Sequence, residues 1–382
     1  MKKIALLGGG QLGRMFIENA LRYDVEIAVM DPDPSAPCAG LTQSFTTGDL
    51  MHKDGVIAHA READVVGIEI EHVSVEALEE LKRLGKTVIP DPAVLRVIQD
   101  KGLQKEFYRE HGIPTSPFRS NRNRDEARNS MDLFPAFLKT RTGGYDGRGV
   151  VHVATPDDIP EDWSWPSVLE RQVDVAKELA VIVVRSATDQ RVYDPVEMVF
   201  DPRYNLVDHL RAPARINDPV ARRARDLGRQ VAEAFGEPGI YAVEMFLDRN
   251  GELLVNETAP RAHNSGHHTI EACASSQFDQ LLRIYMGWPL GDTRTNTPAA
   301  MINLVGEQGE GAPHMQGLDD ILHLPGTFVH LYGKKKTRTG RKMGHITVTA
   351  HDHNGLDQAI AVTKIHCRVV PVKEEAEKAA RP

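Results

Sequence analysis

The sequence predicts an α/β amino-terminal domain, an α+β body and a smaller carboxy-terminal unit, and three observations predict it. The first is the opening KKIALLGGGQLGRMFIENALRYDVEIAVMD, an apolar run that ends in glycines, resumes with apolar residues at helical spacing and closes on a second apolar run. The second is a change of pattern after Phe137, from strands alternating with helices to a series of short strands with one long helix. The third is a Thr/Asn/Pro-containing link after YMGWPLGD, beyond which strands and helices resume to about Val372. The expected divisions are residues 1–98, 99–289 and 290–382.

The elements follow in order. After the βαβ opening, ADVVGIEIEHV reads as a strand, VEALEELKRLG as a helix and TVIP as a strand, so the α/β layer closes near Pro92. DPAVLRVIQDKGLQKEFYREHGIPTSP has an Asp-Pro start, one helical stretch, and a stop at His111-Gly112 before Pro114. AFLKT, GVVHVAT, SVLERQV, ELAVIVVRS and RVYDPVEMVF read as strands, a helix is expected from Pro219 to Phe235, and two more strands follow. The charged end KEEAEKAARP is expected to be solvated.

Composition narrows the function. The 382 residues are 41% apolar and 26% charged, ordinary for a globular chain. The net charge of −8 gives no overall basic field for nucleic acid or anionic lipid, so any phosphate binding must be local. Cys38, Cys273 and Cys367 are scattered, which argues against a disulfide framework or a structural zinc site and fits a reducing compartment. MKKIALLGGG has too short an apolar run for a signal peptide, and no 18-residue apolar run follows, so the cytoplasm is the expected location.

Four stretches carry chemistry. Gly8-Gly9-Gly10-Gln11-Leu12-Gly13 fits G-x-G-x-x-G between a strand and a helix, with Asp31 ending the next strand, so an NAD(P)-dependent oxidoreductase is one alternative; a single phosphate suits the turn equally. KTRTGGYDGRGVV, with four glycines between Gly143 and Gly149, is neither a Walker loop nor a dinucleotide fingerprint, yet its interleaved charges imply an anion. In VEMFLDRNGELLVNE, Asn250-Gly251 signals a hairpin. A two-residue loop places Glu244 opposite Glu257, a four-residue loop keeps both on one face, and a three-residue bulged loop would break that parity. Paired carboxylates suit Mg²⁺, which also takes substrate phosphates. NETAPRAHNSGHH adds Asn256 and Arg261, and its histidines lack the spacing of a zinc site. YGKKKTRTGRKMGH concentrates basic residues as a local phosphate site would.

GGGQLGRM, IEIEHV, QDK, TGGYDGRG, VEMF, NETAPRAHNSGHHTIEA and GRKMGH occur in an order that resembles ATP-grasp enzymes. Within that superfamily the chain is similar, over nearly its whole length, to the N5-carboxyaminoimidazole ribonucleotide synthetase family. The resemblance implies a three-domain ATP-grasp architecture with a Rossmann-like pre-ATP-grasp domain. It also implies carboxylation of 5-aminoimidazole ribonucleotide in purine biosynthesis, with ATP and bicarbonate, through carboxyphosphate or released CO2. Lys101 and Lys139 would contact ATP, and Gly144, Tyr145, Asp146, Gly147, Arg148 and Gly149 would fold over it. Glu170, Arg171, Gln172 and Val173 would form the adenine hinge, with Glu178 on the ribose and Asn256 beside the nucleotide. Glu244 and Glu257 would hold Mg²⁺. Gln11, Glu71, Tyr145, Asp146, Arg148, Lys334 and Arg341 would meet the ribonucleotide, and Asp146 and Arg261 would act in catalysis. A homodimer is implied as well, with no nucleic acid or membrane partner. The family often has arginine at Lys101, acidic and aromatic residues at Arg171 and Gln172, histidine near Phe200 and proline at Thr339. Lys335 and Lys336 leave open which lysine of the run fills the phosphate site. A formate-using transformylase and a biotin carboxylase are the nearer alternatives.

Overall fold

The computed structural model describes residues 2–42, 44–144, 149–204 and 206–372. The chain opens with β1 (Lys3–Leu7), α1 (Gln11–Ala20), β2 (Glu26–Asp31), β3 (Ser44–Thr47), α2 (Lys53–Ala60), β4 (Val65–Ile68), α3 (Val75–Arg83) and β5 (Thr87–Ile89). These strands form one parallel sheet in the order β3-β2-β1-β4-β5. Chain order reverses on either side of β1, so the crevice at its carboxyl end, where the glycine turn lies, is the natural ligand position of such a sheet. The strand expected through ADVVGIEIEHV stops at Ile68. Glu69 follows as a bend whose N–H still bonds to the Leu7 carbonyl of β1 at 2.8 Å, and its carboxylate accepts a hydrogen bond from the Leu12 N–H at 3.0 Å.

The helical stretch after Asp91 is two helices, α4 (Pro92–Ile98) and α5 (Lys101–Glu110). Asp100 starts the second by accepting from the N–H groups of Gly102 and Leu103, a cap of the kind that contributes about 1 kcal/mol. Next come β6 (Phe118–Asn121), α6 (Arg124–Arg128), β7 (Ala136–Thr140), β8 (Val150–Val153) and β9 (Ser167–Arg171), which give an antiparallel sheet in the order β6-β9-β7-β8.

The body continues with β10 (Val175–Arg185), β11 (Gln190–Val192), β12 (Val196–Asp201), β13 (Leu206–Ala212), α7 (Asp218–Phe235), β14 (Gly239–Asp248), β15 (Leu253–Ala259), α8 (Thr269–Ala272) and α9 (Gln277–Met286). RVYDPVEMVF is divided between β11 and β12, since Pro195 has no N–H to give to a ladder. The last elements are β16 (Ala299–Val305), β17 (Pro313–Gln316), α10 (Leu318–Leu322), β18 (Thr327–Leu331), β19 (Lys342–Thr349), α11 (His353–His366) and β20 (Arg368–Pro371).

One large sheet, β15-β14-β10-β12-β13-β16-β19-β18 with β11 beside β10, runs through this region. Pairing of β13 with β16, with Leu210 opposite Met301, joins the carboxy-terminal segment to the body as continuous sheet. One face of β10 and β14 packs Val181, Val183 and Val243 against Leu227 and Val231 of α7. On the other face Ile182, Val184 and Ala242 pack against Phe278 and Leu282 of α9 and Phe16 of α1. Following that second face along β10, the alternating residues pass from Val184 and Ile182 to Ala180 and then Glu178. The same face is thus apolar where it meets the first domain and acidic where it does not. No described helix is long and apolar enough to cross a membrane.

Candidate active site

Glu244 and Glu257 are cross-strand partners, by a different route from the loop arithmetic. The hairpin loop has three residues, closed by the Asp248 N–H to the Glu252 carbonyl at 2.9 Å, with Gly251 at φ 84°, where glycine alone is unstrained. That loop pairs Leu247 with Leu253 and Met245 with Val255, which would carry Glu257 to the wrong face. The register then shifts, Asn256 takes the extra place, and Glu244 falls opposite Glu257. Glu178 lies diagonally on the same face, because Ala180 pairs with Glu244. Burial, then the charges of Glu257 and Glu178, push the Glu244 carboxyl up to about 8, and burial pushes Glu178 up to about 7. Such a cluster asks for a cation or protons. Among the described residues no three metal-ligating side chains converge on one point, so this pair with the Asn256 amide supplies part of a shell. That hard-oxygen, half-complete donor set fits Mg²⁺ finished by phosphate oxygens.

Beside it stand the lysines. Lys139 Nζ donates to Asn256 Oδ1 at 3.3 Å and lies 3.0 Å from Glu170 Oε1. Glu170 is 3% exposed, with Oε2 2.9 Å from Lys105 Nζ and accepting from the Ser116 hydroxyl at 2.9 Å. Burial raises its pKa, but Lys105 and Lys139 outweigh that and bring it to about 2. The Arg171 and Gln172 N–H groups bond to the carbonyls of Pro117 and Pro135, so this segment is tied to the residues that lead into β6 and β7. Lys101 Nζ donates to the Gly144 carbonyl at 3.2 Å, and Arg141 grips Asp100 with two hydrogen bonds of 2.7 Å. The Thr140 N–H reaches the Gly149 carbonyl at 2.9 Å. The two feet of the glycine loop are therefore pinned to α5 and β7. Tyr145, Asp146, Gly147 and Arg148 lie outside the described residues.

Across the interface with the first domain, Lys334 Nζ donates to Gln11 Oε1 at 2.9 Å and to the Lys342 carbonyl at 2.6 Å, while Lys335 and Lys336 are exposed. Arg341 donates to the Lys336 carbonyl at 2.8 Å and is close enough to Asp33 to help lower its pKa, after the hydrogen bonds from Ser35. Glu71 forms an ion pair with Arg261 at 2.8 Å. A dinucleotide has no place in the glycine turn: Glu69 occupies the α1 amino terminus through Leu12, and Asp31 takes the Gly9 N–H at 2.7 Å. A Cβ at Gly10 would lie 2.6 Å from Glu69 Oε1, so the Glu69 carboxylate can lie against the turn as it does because that residue is glycine. Two carboxylates fill the position where a pyrophosphate would sit, and the oxidoreductase alternative falls with it.

The two halves meet at NETAPRAHNSGHH. His263 Nε2 is 3.7 Å from Glu244 Oε1, and burial, with Arg261 and Lys342 beside it, pushes its pKa down to about 3. Gln277 fixes the turn by accepting from the His263 N–H and donating to the His263 carbonyl, both at 2.9 Å. Asn264 and Asn303 exchange amide hydrogen bonds of 3.0 and 3.1 Å, docking this turn onto β16.

Three stretches of the chain match known protein families. Residues 1–99 match the ribonucleotide synthetase preATP-grasp domain, 106–278 the ATP-grasp domain, and 299–359 the phosphoribosylaminoimidazole carboxylase C-terminal domain. The N5-carboxyaminoimidazole ribonucleotide synthase of Brucella melitensis is 34% identical over 353 residues, covering 90% of this chain and 95% of that one. The chain belongs to the N5-carboxyaminoimidazole ribonucleotide synthetase family. The synthetase crystal structure from Thermotoga maritima superposes with a TM-score of 0.90 at 37% identity, covering 97% of this chain and 100% of that one. The Aspergillus clavatus synthase in complex with ADP and 5-aminoimidazole ribonucleotide gives 0.88 at 35% identity, covering 95% and 98%. The chain spans between 64% and 71% of the length of the yeast phosphoribosylaminoimidazole carboxylases it matches. By fold and family it is an ATP-grasp ligase.

Four residues of this synthetase site escaped the sequence reading. Lys105 follows Lys101 by one helical turn, a spacing that offered a signal. Glu69 carried a weaker one, as the first acid of IEIEHV. His263 and Lys342 had none beyond lying in dense motifs, because their role depends on strands brought together from distant parts of the chain.

Proposed function

We propose that this synthetase phosphorylates bicarbonate with ATP and passes the carboxyl group to the exocyclic amine of 5-aminoimidazole ribonucleotide, giving N5-carboxyaminoimidazole ribonucleotide. The observation that carries this reading is the junction at Glu244 and His263, where the acidic nucleotide half and the cationic ribonucleotide half share one wall. A phosphoryl donor on one side and an amine on the other can there act on one small anion between them.

On the nucleotide side, Lys101 and Lys139 are assigned to phosphates, with the loop from Gly144 through Tyr145, Asp146, Gly147 and Arg148 to Gly149 as cover. Because the Arg171 and Gln172 N–H groups already have partners, adenine reading falls to the Val173 N–H and the hinge carbonyls. Glu178 is assigned to the ribose. Glu244, Glu257 and the Asn256 amide would hold Mg²⁺, which when bound offsets charge on the transferring phosphoryl group. On the other side, Lys334 and Arg341 are assigned to the ribonucleotide phosphate, Gln11 and Glu71 to its sugar, and Tyr145, Asp146 and Arg148 to its base. Arg261 and Lys342 flank the junction as counter-charges for bicarbonate, and neutral His263 adds no competing charge.

A bicarbonate oxygen attacks the γ-phosphorus and the bond to ADP breaks. The carboxyphosphate formed decomposes in water, so closure of the loop is part of the chemistry. The amine nitrogen then attacks the carboxyl carbon, directly or as CO2, phosphate leaves, and Asp146 orients the amine and takes its proton. Homodimeric assembly and a cytoplasmic location belong to the same reading. ADP release by the purified chain tests it: turnover should require both bicarbonate and 5-aminoimidazole ribonucleotide. Comparable release without the ribonucleotide would count against it.

A further inference from the structure

Lys101 and Lys139 have roles in this reading, but a third lysine of the same region has none. Lys105 is 3% exposed on the inner face of α5. Its ammonium lies 2.9 Å from Glu170 Oε2 and donates to Thr115 Oγ1 at 2.8 Å, and that hydroxyl donates to the Val255 carbonyl at 2.7 Å. Burying an ammonium is costly, and burial lowers the Lys105 pKa against the pull of Glu170. An uncharged side chain could fill the same space without that cost, so the charge serves its partner.

The partner is shared. Glu170 Oε2 lies 2.9 Å from Lys105 Nζ and accepts from the Ser116 hydroxyl, whereas Oε1 lies 3.0 Å from Lys139 Nζ. Lys139 is 16% exposed against 3% for Lys105 and also reaches Asn256 at 3.3 Å, on the side of the carboxylate pair, so it is the accessible cation of the two.

We propose that Lys105 is a positioning residue for the nucleotide, holding Glu170 in place and ionised so that Lys139 can leave that carboxylate for a nucleotide phosphate. This rests on the assignment of Lys139 to phosphate. When Lys139 turns away, Glu170 keeps a buried counter-charge in Lys105. Without Lys105, Lys139 would be the one remaining cation paired with Glu170 among the described residues, and the nucleotide would have to compete for it. The same helix carries the effect further, because Gln104 accepts from the Thr258 N–H at 3.0 Å and Tyr108 donates to the Thr258 hydroxyl at 2.7 Å, next to Glu257.

The test compares the full chain with Lys105→Met, Lys105→Arg, Thr115→Val and the double variant Lys105→Met/Glu170→Gln, by calorimetric ATP binding with Mg²⁺ and by KM for each substrate. Lys105→Met should weaken ATP binding about tenfold or more while KM for 5-aminoimidazole ribonucleotide stays within about twofold. Lys105→Arg should recover most of the loss. The double variant should bind ATP more tightly than Lys105→Met, because the uncompensated carboxylate is gone. Parental ATP affinity in Lys105→Met, equal losses for both substrates, or a double variant no better than the single would overturn the proposal. If Lys105→Met does not fold, Thr115→Val keeps the ammonium but removes the hydroxyl that links it to the Val255 carbonyl, and should show the same selective loss; unchanged ATP affinity there would overturn it. Failure of the parent chain to bind ATP would instead overturn the nucleotide reading beneath it.

Discussion

Glu244 stands opposite Glu257 because Asn256 bulges out of the strand between them and the hairpin loop. Two irregularities, a three-residue loop and a one-residue bulge, cancel and leave both carboxylates on one face. The raised pKa of Glu244 means the folded chain holds a proton there that the unfolded chain releases between about pH 4.5 and 8, so this group costs stability as pH rises through that window. Glu244→Gln should therefore stabilise the metal-free protein by about 1–3 kcal/mol near pH 7.5, and the difference should vanish near pH 4. Turnover should fall about a hundredfold or more for want of charge compensation on phosphate. Thermal melts across pH beside ADP-release assays check both halves. Equal melts at pH 7.5 would mean that the carboxyl is not held protonated.

Filling the same cluster should eject protons. Mg²⁺ with ADP needs ionised ligands, while Glu244 and Glu178, pushed up to about 8 and 7, hold protons near neutrality. Calorimetry at pH 7 in buffers of different ionisation enthalpy should register release of about one proton per nucleotide bound, falling in Glu244→Gln. A binding enthalpy independent of buffer would contradict this.

Lys334 faces Gln11 while Lys335 and Lys336 point to solvent, so the three lysines should separate cleanly. Lys334→Ala and Arg341→Ala should each raise KM for the ribonucleotide about 10- to 100-fold with little change for ATP, as expected for loss of a charge-assisted contact. Lys335→Ala and Lys336→Ala should stay near the parent. A fall in ATP affinity matching the ribonucleotide loss would move the site elsewhere.

The glycine turn is already filled by Glu69 and Asp31. Millimolar NAD or NADP should leave the melting temperature unchanged. A saturable rise with either would mean that Glu69 can be displaced from the helix terminus.

What the sequence revealed was local and periodic. The βαβ opening, the helix ending at Phe235 and the strand runs were legible, because apolar spacing of 2 and 3.6 residues is set within each segment. What stayed hidden depended on distant partners. The bulge at Asn256 adjoins Val255, whose N–H bonds to the Pro114 carbonyl on a segment far away in sequence. The break at Gln99-Asp100 is reinforced by Arg141, just past the end of β7, and Lys105 gains meaning only when Glu170 folds onto it. Glu69 reads as strand because its neighbours alternate correctly, and its N–H does stay bonded to the Leu7 carbonyl, but its carboxylate is taken by the α1 terminus, which no local pattern reveals.

The central claim is that this site phosphorylates bicarbonate with the γ-phosphoryl group of ATP on the way to carboxylating an amine. Supplying bicarbonate labelled with oxygen-18, together with ATP and 5-aminoimidazole ribonucleotide, tests it most directly. Attack by a bicarbonate oxygen on the γ-phosphorus predicts one labelled oxygen in each phosphate released, in step with N5-carboxyaminoimidazole ribonucleotide formed. Unlabelled phosphate accompanying product would contradict the account, because the γ-phosphoryl group would then have gone to water or to another acceptor.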